Sequence, residues 1–121
     1  MSVAGLLGAA CSKNDTVDRA LSEAASRGEQ VAVDAGCQAC HGGNWAGGVG
    51  PALVGLAGST VSLDDGSTVV ADDTYLTTAI MEPAAQQVAG YTIVMPANQL
   101  SPDQVADVVA FIRELTSAPS P

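Results

Sequence analysis

The chain has 121 residues, which suits one domain. Its formal charge is −9, with 13 acids against four basic residues, Lys13, Arg19, Arg27 and Arg113. That balance excludes charge-driven binding to nucleic acid and disfavours an anionic membrane surface; it suits a partner with a basic docking face, or serves only to keep the protein in solution.

Residues Met1 to Cys11 are short, apolar and small. They resemble the end of a bacterial lipoprotein signal, with Leu7-Gly8-Ala9-Ala10 leading into a cysteine that would carry lipid. The match is incomplete. The large apolar residue stands four places before Cys11 rather than three, and no basic stretch precedes the apolar run. Cys11 is thus either a lipid anchor or a stray thiol on an irregular start. No stretch is long enough for a membrane-spanning helix. Ser12 to Arg27 is polar and Ala-rich with a poor apolar stripe, and reads as a tether. The reading divides the chain into a leader and tether (1–27), one domain (28–116) and a tail (117–121). There are no internal repeats.

Gly28 to Ala39 is predicted as the first helix. Val31 and Ala35 share a face, with the small residues Ala32 and Gly36 beside them, so another helix can pack closely. This helix delivers Cys37-Gln-Ala-Cys40-His41, which holds the only histidine in the chain. A C-x-x-C-H run reads as a c-type haem attachment site. Its chemistry accounts for its spacing. Two thiols add to the two vinyl groups on one porphyrin edge, and the next residue brings an imidazole to the iron. The alternatives are a thioredoxin-like redox pair, a zinc site or a chance match. The first needs a βαβ context, and none is visible. The second needs four ligands, and the only thiol left to join the motif is Cys11. Aromatics make up only 3% of the chain, a thin supply of core bulk that a porphyrin would supplement.

His41 to Gly58 is a loop with seven glycines, at 42, 43, 47, 48, 50, 55 and 58. Such density implies tight turns or close backbone approach to a flat group, here the porphyrin. Val49, Leu53, Val54 and Leu56 argue against a wholly solvated loop. Ser59 to Val70 reads as a hairpin about Asp65-Gly66, with Val61 and Leu63 on one face. Asp72 caps a helix running to about Met81, with Tyr75, Leu76, Ala79 and Ile80 on its apolar side. Pro83 stops it by pushing Glu82 out of the helical region. Ser101-Pro-Asp-Gln104 starts the last helix, with Val105, Val108, Val109, Phe111, Ile112 and Leu115 as its stripe.

An iron held by His41 has a second axial position. Met81 ends a helix and suits core packing. Met95 lies in the extended stretch Gly90 to Asn98, stiffened by Pro96. A thioether on a rigid loop, distant in sequence from the histidine, is the better candidate.

Gly36-Cys37-x-x-Cys40-His41, Gly50-Pro51-Ala52-Leu53-x-Gly55 and Met95-Pro96, before a helix carrying Phe111-Ile112, resemble the class I cytochromes c over roughly Gly28 to Leu115. The hairpin Leu63-Asp-Asp-Gly-x-x-Val69, together with Ala71-Asp-x-x-Tyr75-Leu, Ile80-x-x-Pro83 and Gly90-Tyr91-x-x-x-Met95-Pro96, is similar to the cytochrome c domain fused to subunit II of some bacterial haem–copper oxidases. The resemblance implies an all-α fold of three to five helices around one covalent haem c, with a short β-hairpin insertion. It implies thioethers at Cys37 and Cys40, axial ligation by His41 and Met95, a Pro51 carbonyl that accepts the His41 Nδ1–H, and Tyr91 at the haem. It places the crossing of the first and last helices near Val31 and Phe111. Many relatives carry an aromatic near Ala32, so looser packing is expected there. The implied function is electron transfer outside the cytoplasm, free, lipid-tethered, or as a subunit of a membrane respiratory complex. No nucleophile–base pair is visible for an enzyme. The competing class is a haem enzyme or gas sensor with an open sixth position.

Overall fold

A computed structural model describes residues 20–116. The expected lipid site at Cys11, the tether as far as Arg19 and the tail beyond Thr116 lie outside the described residues. Within them the chain forms α1 (Glu23–Asp34), α2 (Gln38–His41), β1 (Thr60–Ser62), β2 (Thr68–Val70), α3 (Asp73–Met81) and α4 (Pro102–Glu114). The expected helical architecture with one hairpin is the one observed. Among the described residues, no helix is long and apolar enough to cross a membrane.

The first helix begins five residues before Gly28 and stops before Ala39. Ser22 caps it, its Oγ accepting from the Ala25 N–H at 3.1 Å. The Ser22 N–H and Oγ–H both donate to the Glu114 carboxylate, at 2.9 and 2.6 Å, and these bonds hold that carboxyl below its ordinary pKa. Arg27 forks onto Asp107 at 3.0 and 3.1 Å. Residues 22–27 therefore belong to the packed helix and not to a tether. Their apolar stripe reads as poor because it is built from Ala25, Gly28 and Ala32, which bury completely while carrying little hydrophobic signal. At the other end Gly36 takes a φ of +80°. The N–H groups of Cys37 and Gly36 donate back to Ala32 and Val33, at 3.0 and 3.1 Å. This is a Schellman stop, and the chain restarts as the short helix α2.

The α1–α4 crossing lies at Gly28, one turn before the expected Val31. A β-carbon on Gly28 would stand 1.9 Å from the Asp107 carbonyl oxygen, so the two backbones touch there. Ala32 is fully buried beside them, and the looser crossing expected from its small side chain is not found. Close approach of backbones replaces the missing aromatic.

Helix α4 carries the full capping box. The Ser101 Oγ accepts from Gln104 N–H at 3.2 Å, and the Gln104 amide oxygen accepts from Ser101 N–H at 2.9 Å. Its Val105, Val108, Val109, Phe111 and Ile112 are buried. Asp72 caps α3 by accepting from the Tyr75 N–H at 2.8 Å, and Arg113 of α4 pairs with Asp73 at 3.2 Å. The hairpin strands pair antiparallel, Val61 opposite Val69, about a turn where Gly66 has φ +86°. Val61 and Leu63 point into the core, and Leu63 forms a further bridge to Val88.

Gly28→Ala tests the crossing. Helix propensity alone favours alanine by about 1 kcal/mol. The clash with backbone at Asp107 outweighs this, since overpacking costs about 1–3 kcal/mol or more where backbone must shift. Chemical denaturation of the haem-loaded variant should show a net loss of stability; a gain would mean that the helices do not touch at Gly28.

Candidate functional site

Helix α2 holds the C-x-x-C-H motif in one turn. The His41 N–H donates to the Cys37 carbonyl at 3.0 Å, and Gly42 N–H to that of Gln38 at 3.0 Å. The His41 ring is oriented from outside this turn, by a 2.7 Å bond between Nδ1 and the Pro51 carbonyl. A carbonyl can only accept, so the proton sits on Nδ1 and the Nε2 lone pair is left for a metal.

The glycine-rich loop folds back on this turn. Gly47 N–H donates to the His41 carbonyl at 2.8 Å, and Gly50 N–H to that of Cys40 at 2.9 Å. A β-carbon on Gly50 would stand 3.3 Å from both the Cys40 oxygen and the His41 ring, and one on Gly48 would stand 2.9 Å from the same oxygen. Of the two readings of these glycines, tight turns are the one observed, with positive φ at Gly42, Gly47, Gly55 and Gly58, and close approach to a flat group is not. None of the seven lines the cavity described next; several press on the motif's own backbone and set the Pro51 carbonyl against His41. Leu53 is buried as expected, while Val49 is exposed.

A cavity of about 460 Å³ opens beside the motif, within the usual range for cofactor sites. Cys37, Cys40, His41, Pro51, Tyr91 and Met95 all line it. Each predicted site residue thus reaches the same space from the motif, the loop after it and the chain before α4. Met81 does not line the cavity and is 48% exposed. The rest of the wall is largely apolar, with Leu53, Val61, Leu76, Ile80, Val108 and Ile112 from the core, and it carries no Asp, Glu, Lys or Arg. Cys37 and Cys40 form no disulfide with each other, so both sulfurs are left for attachment. No three His, Cys, Asp or Glu side chains converge as a metal-binding group among the described residues. These features fit a porphyrin: an apolar pocket, two thiols one helical turn apart, an oriented imidazole and a thioether.

Sequence reasoning passed over Trp45. It is 1% exposed and meets Phe111 edge-on, with ring centroids 5.4 Å apart. Its φ of +63° is rare for a bulky residue, and its carbonyl accepts from both Leu53 and Val54 N–H, at 2.9 and 3.1 Å. It ties the motif loop to α4. Its being the only tryptophan, among so many glycines, was the available signal.

Fold and site together define a class I c-type cytochrome, with one covalently bound haem c. The family model for cytochrome c matches residues 25–116, and the chain belongs to that family. Among solved structures it is similar to cytochrome cH from Methylobacterium extorquens, at 27% identity and a TM-score of 0.56, over 74% of this chain and 97% of that one. No curated protein matches.

Trp45→Ala should destabilise the loaded protein by about 3–5 kcal/mol, the usual cost of emptying a buried aromatic site. Thermal unfolding followed by far-UV circular dichroism checks this, with Trp45→Phe expected to fall between the variant and the parent.

Proposed function

We propose that this cytochrome is an electron carrier with its iron held by His41 and Met95 and its haem attached through Cys37 and Cys40. The observation that carries the reading is the single cavity that gathers these four side chains with Pro51 and Tyr91. Bound haem supplies reversible one-electron chemistry at iron. The chain's own part is positioning. Pro51 holds the imidazole with Nε2 free, the apolar wall excludes water, and Met95 closes the second axial position. A His/Met pair favours a raised potential and leaves no site for oxygen or substrate.

The reading extends to place and partner. Covalent haem attachment in bacteria is extracytoplasmic, so the proposed setting is the periplasm or the outer face of the cytoplasmic membrane, with Cys11 as the proposed lipid anchor. The likeness to oxidase-linked cytochrome domains favours a membrane respiratory complex, with a terminal oxidase as acceptor and the carrier either tethered or a fixed subunit. Arg27 and Arg113, the basic residues among those described, are both paired with aspartates. The surface left is acidic, which suits a redox partner with a basic docking face.

Two measurements test this. Intact mass of the mature protein should exceed that of the polypeptide by one haem, and Cys37→Ala with Cys40→Ala should remove the excess. In the ferric protein the weak red band of sulfur–iron ligation should vanish in Met95→Leu and persist in Met81→Leu. A parent protein without that band would instead favour an open sixth position and a sensor or enzyme.

Electron-transfer rates with the native acceptor should fall as salt rises, because screening shortens charge steering to about 8 Å at physiological ionic strength. Stopped-flow rates that stay flat with salt would point to a fixed subunit held by apolar contacts.

A further inference from the structure

The stretch between α3 and α4 that carries Met95 has almost no backbone support. No N–H or carbonyl of residues 92–99 joins a backbone–backbone hydrogen bond among the described residues. Segments of this kind lie at the low end of local stability. Two side-chain amides hold it instead. Gln87 Nε2 donates to the Tyr91 carbonyl at 2.9 Å and, at 3.5 Å, to that of Ile93. Asn98 Nδ2 donates to the Ile80 carbonyl at the end of α3, at 2.7 Å, and Asn98 Oδ1 accepts from Leu100 N–H at 3.1 Å.

The anchors are themselves fixed. The Gln87 carbonyl accepts from Asp64 N–H, and Ala89 N–H donates to Ser62, each at 2.9 Å, beside the Leu63–Val88 bridge. Gln87 thus belongs to the hairpin's edge. Asn98 joins the end of α3 to the approach to α4. Both residues line the same cavity as Met95.

We infer that Gln87 and Asn98 are positioning residues for Met95, and that the hairpin serves to anchor the upstream one. This rests on the reading of Met95 as an axial ligand. The two amides act on the loop and not on the iron. Losing either should free the thioether to leave while the helical fold stays intact.

The test is displacement of the sixth ligand in the ferric holoprotein by added imidazole. Gln87→Leu or Asn98→Ala should raise the apparent imidazole affinity about fivefold, the change expected in a loop-opening equilibrium when one neutral hydrogen bond is lost. The sulfur–iron band should also melt at a lower temperature than the far-UV dichroism. Asn98→Asp, which keeps an acceptor for Leu100 but sets a carboxylate in place of the donor to Ile80, should move affinity in the same direction. Ser67→Ala, at the far turn of the hairpin, should leave it at the parental value. Parental imidazole affinity in all the amide variants, with the band still lost in Met95→Leu, would overturn the positioning role and leave the ligation intact. A band that survives Met95→Leu would overturn the ligation, and the positioning role with it. Loss of band and dichroism together at one lowered temperature in the amide variants would also overturn it, as general destabilisation.

Discussion

The contact of Gly28 with the backbone at Asp107 sets how close α1 lies to α4, and the site depends on that distance. Helix α1 leads directly into the Schellman turn that presents Cys37, while α4 supplies Val108 and Ile112 to the cavity wall. A side chain at Gly28 would move one wall of the cavity relative to the other. The ties flanking the crossing, Ser22 to Glu114 and Arg27 to Asp107, act at the surface. Exposed pairs of this kind contribute little each, so they set the register of the crossing more than its strength.

The two axial candidates are held by different means. His41 sits on a turn clamped by the glycine loop, where backbone presses on backbone and Pro51 accepts from Nδ1. Met95 sits on an extended segment held at its ends by side-chain amides. Backbone clamping on one side and side-chain tethering on the other is an asymmetry built into the chain itself. Under the proposed ligation it would put any exchange of ligand on the methionine side. No Asp, Glu, Lys or Arg lines the cavity, so the acidic side chains lie outside the space that gathers the motif and Met95.

Much of this was legible from residues alone. Asp72 and Ser101 cap the helices expected of them, Gly66 turns the hairpin, and the α4 stripe is buried residue by residue. Each is a local signal, decided within a few residues. Cys37-x-x-Cys40-His41 named the cofactor for the same reason, since its chemistry is set by spacing within one turn. The misreadings share a cause. Residues 22–27 looked like tether because Ala25 and Gly28 gain their value from a distant helix that comes close to them. The loop glycines were assigned to a ligand because nothing local tells a chain folding onto itself from one folding onto a flat group.

The sequence by itself determined the class of protein, the ends of α3, the start of α4 and the chemistry of the motif, because caps, turns and covalent spacing are short-range. Tertiary structure decided where α1 crosses α4, what Trp45 holds together, which methionine faces the cavity and which amides secure it. Those depend on contacts between segments far apart in the chain, such as Asn98 with Ile80 or Trp45 with Phe111, whose pairing exists only once the helices have packed.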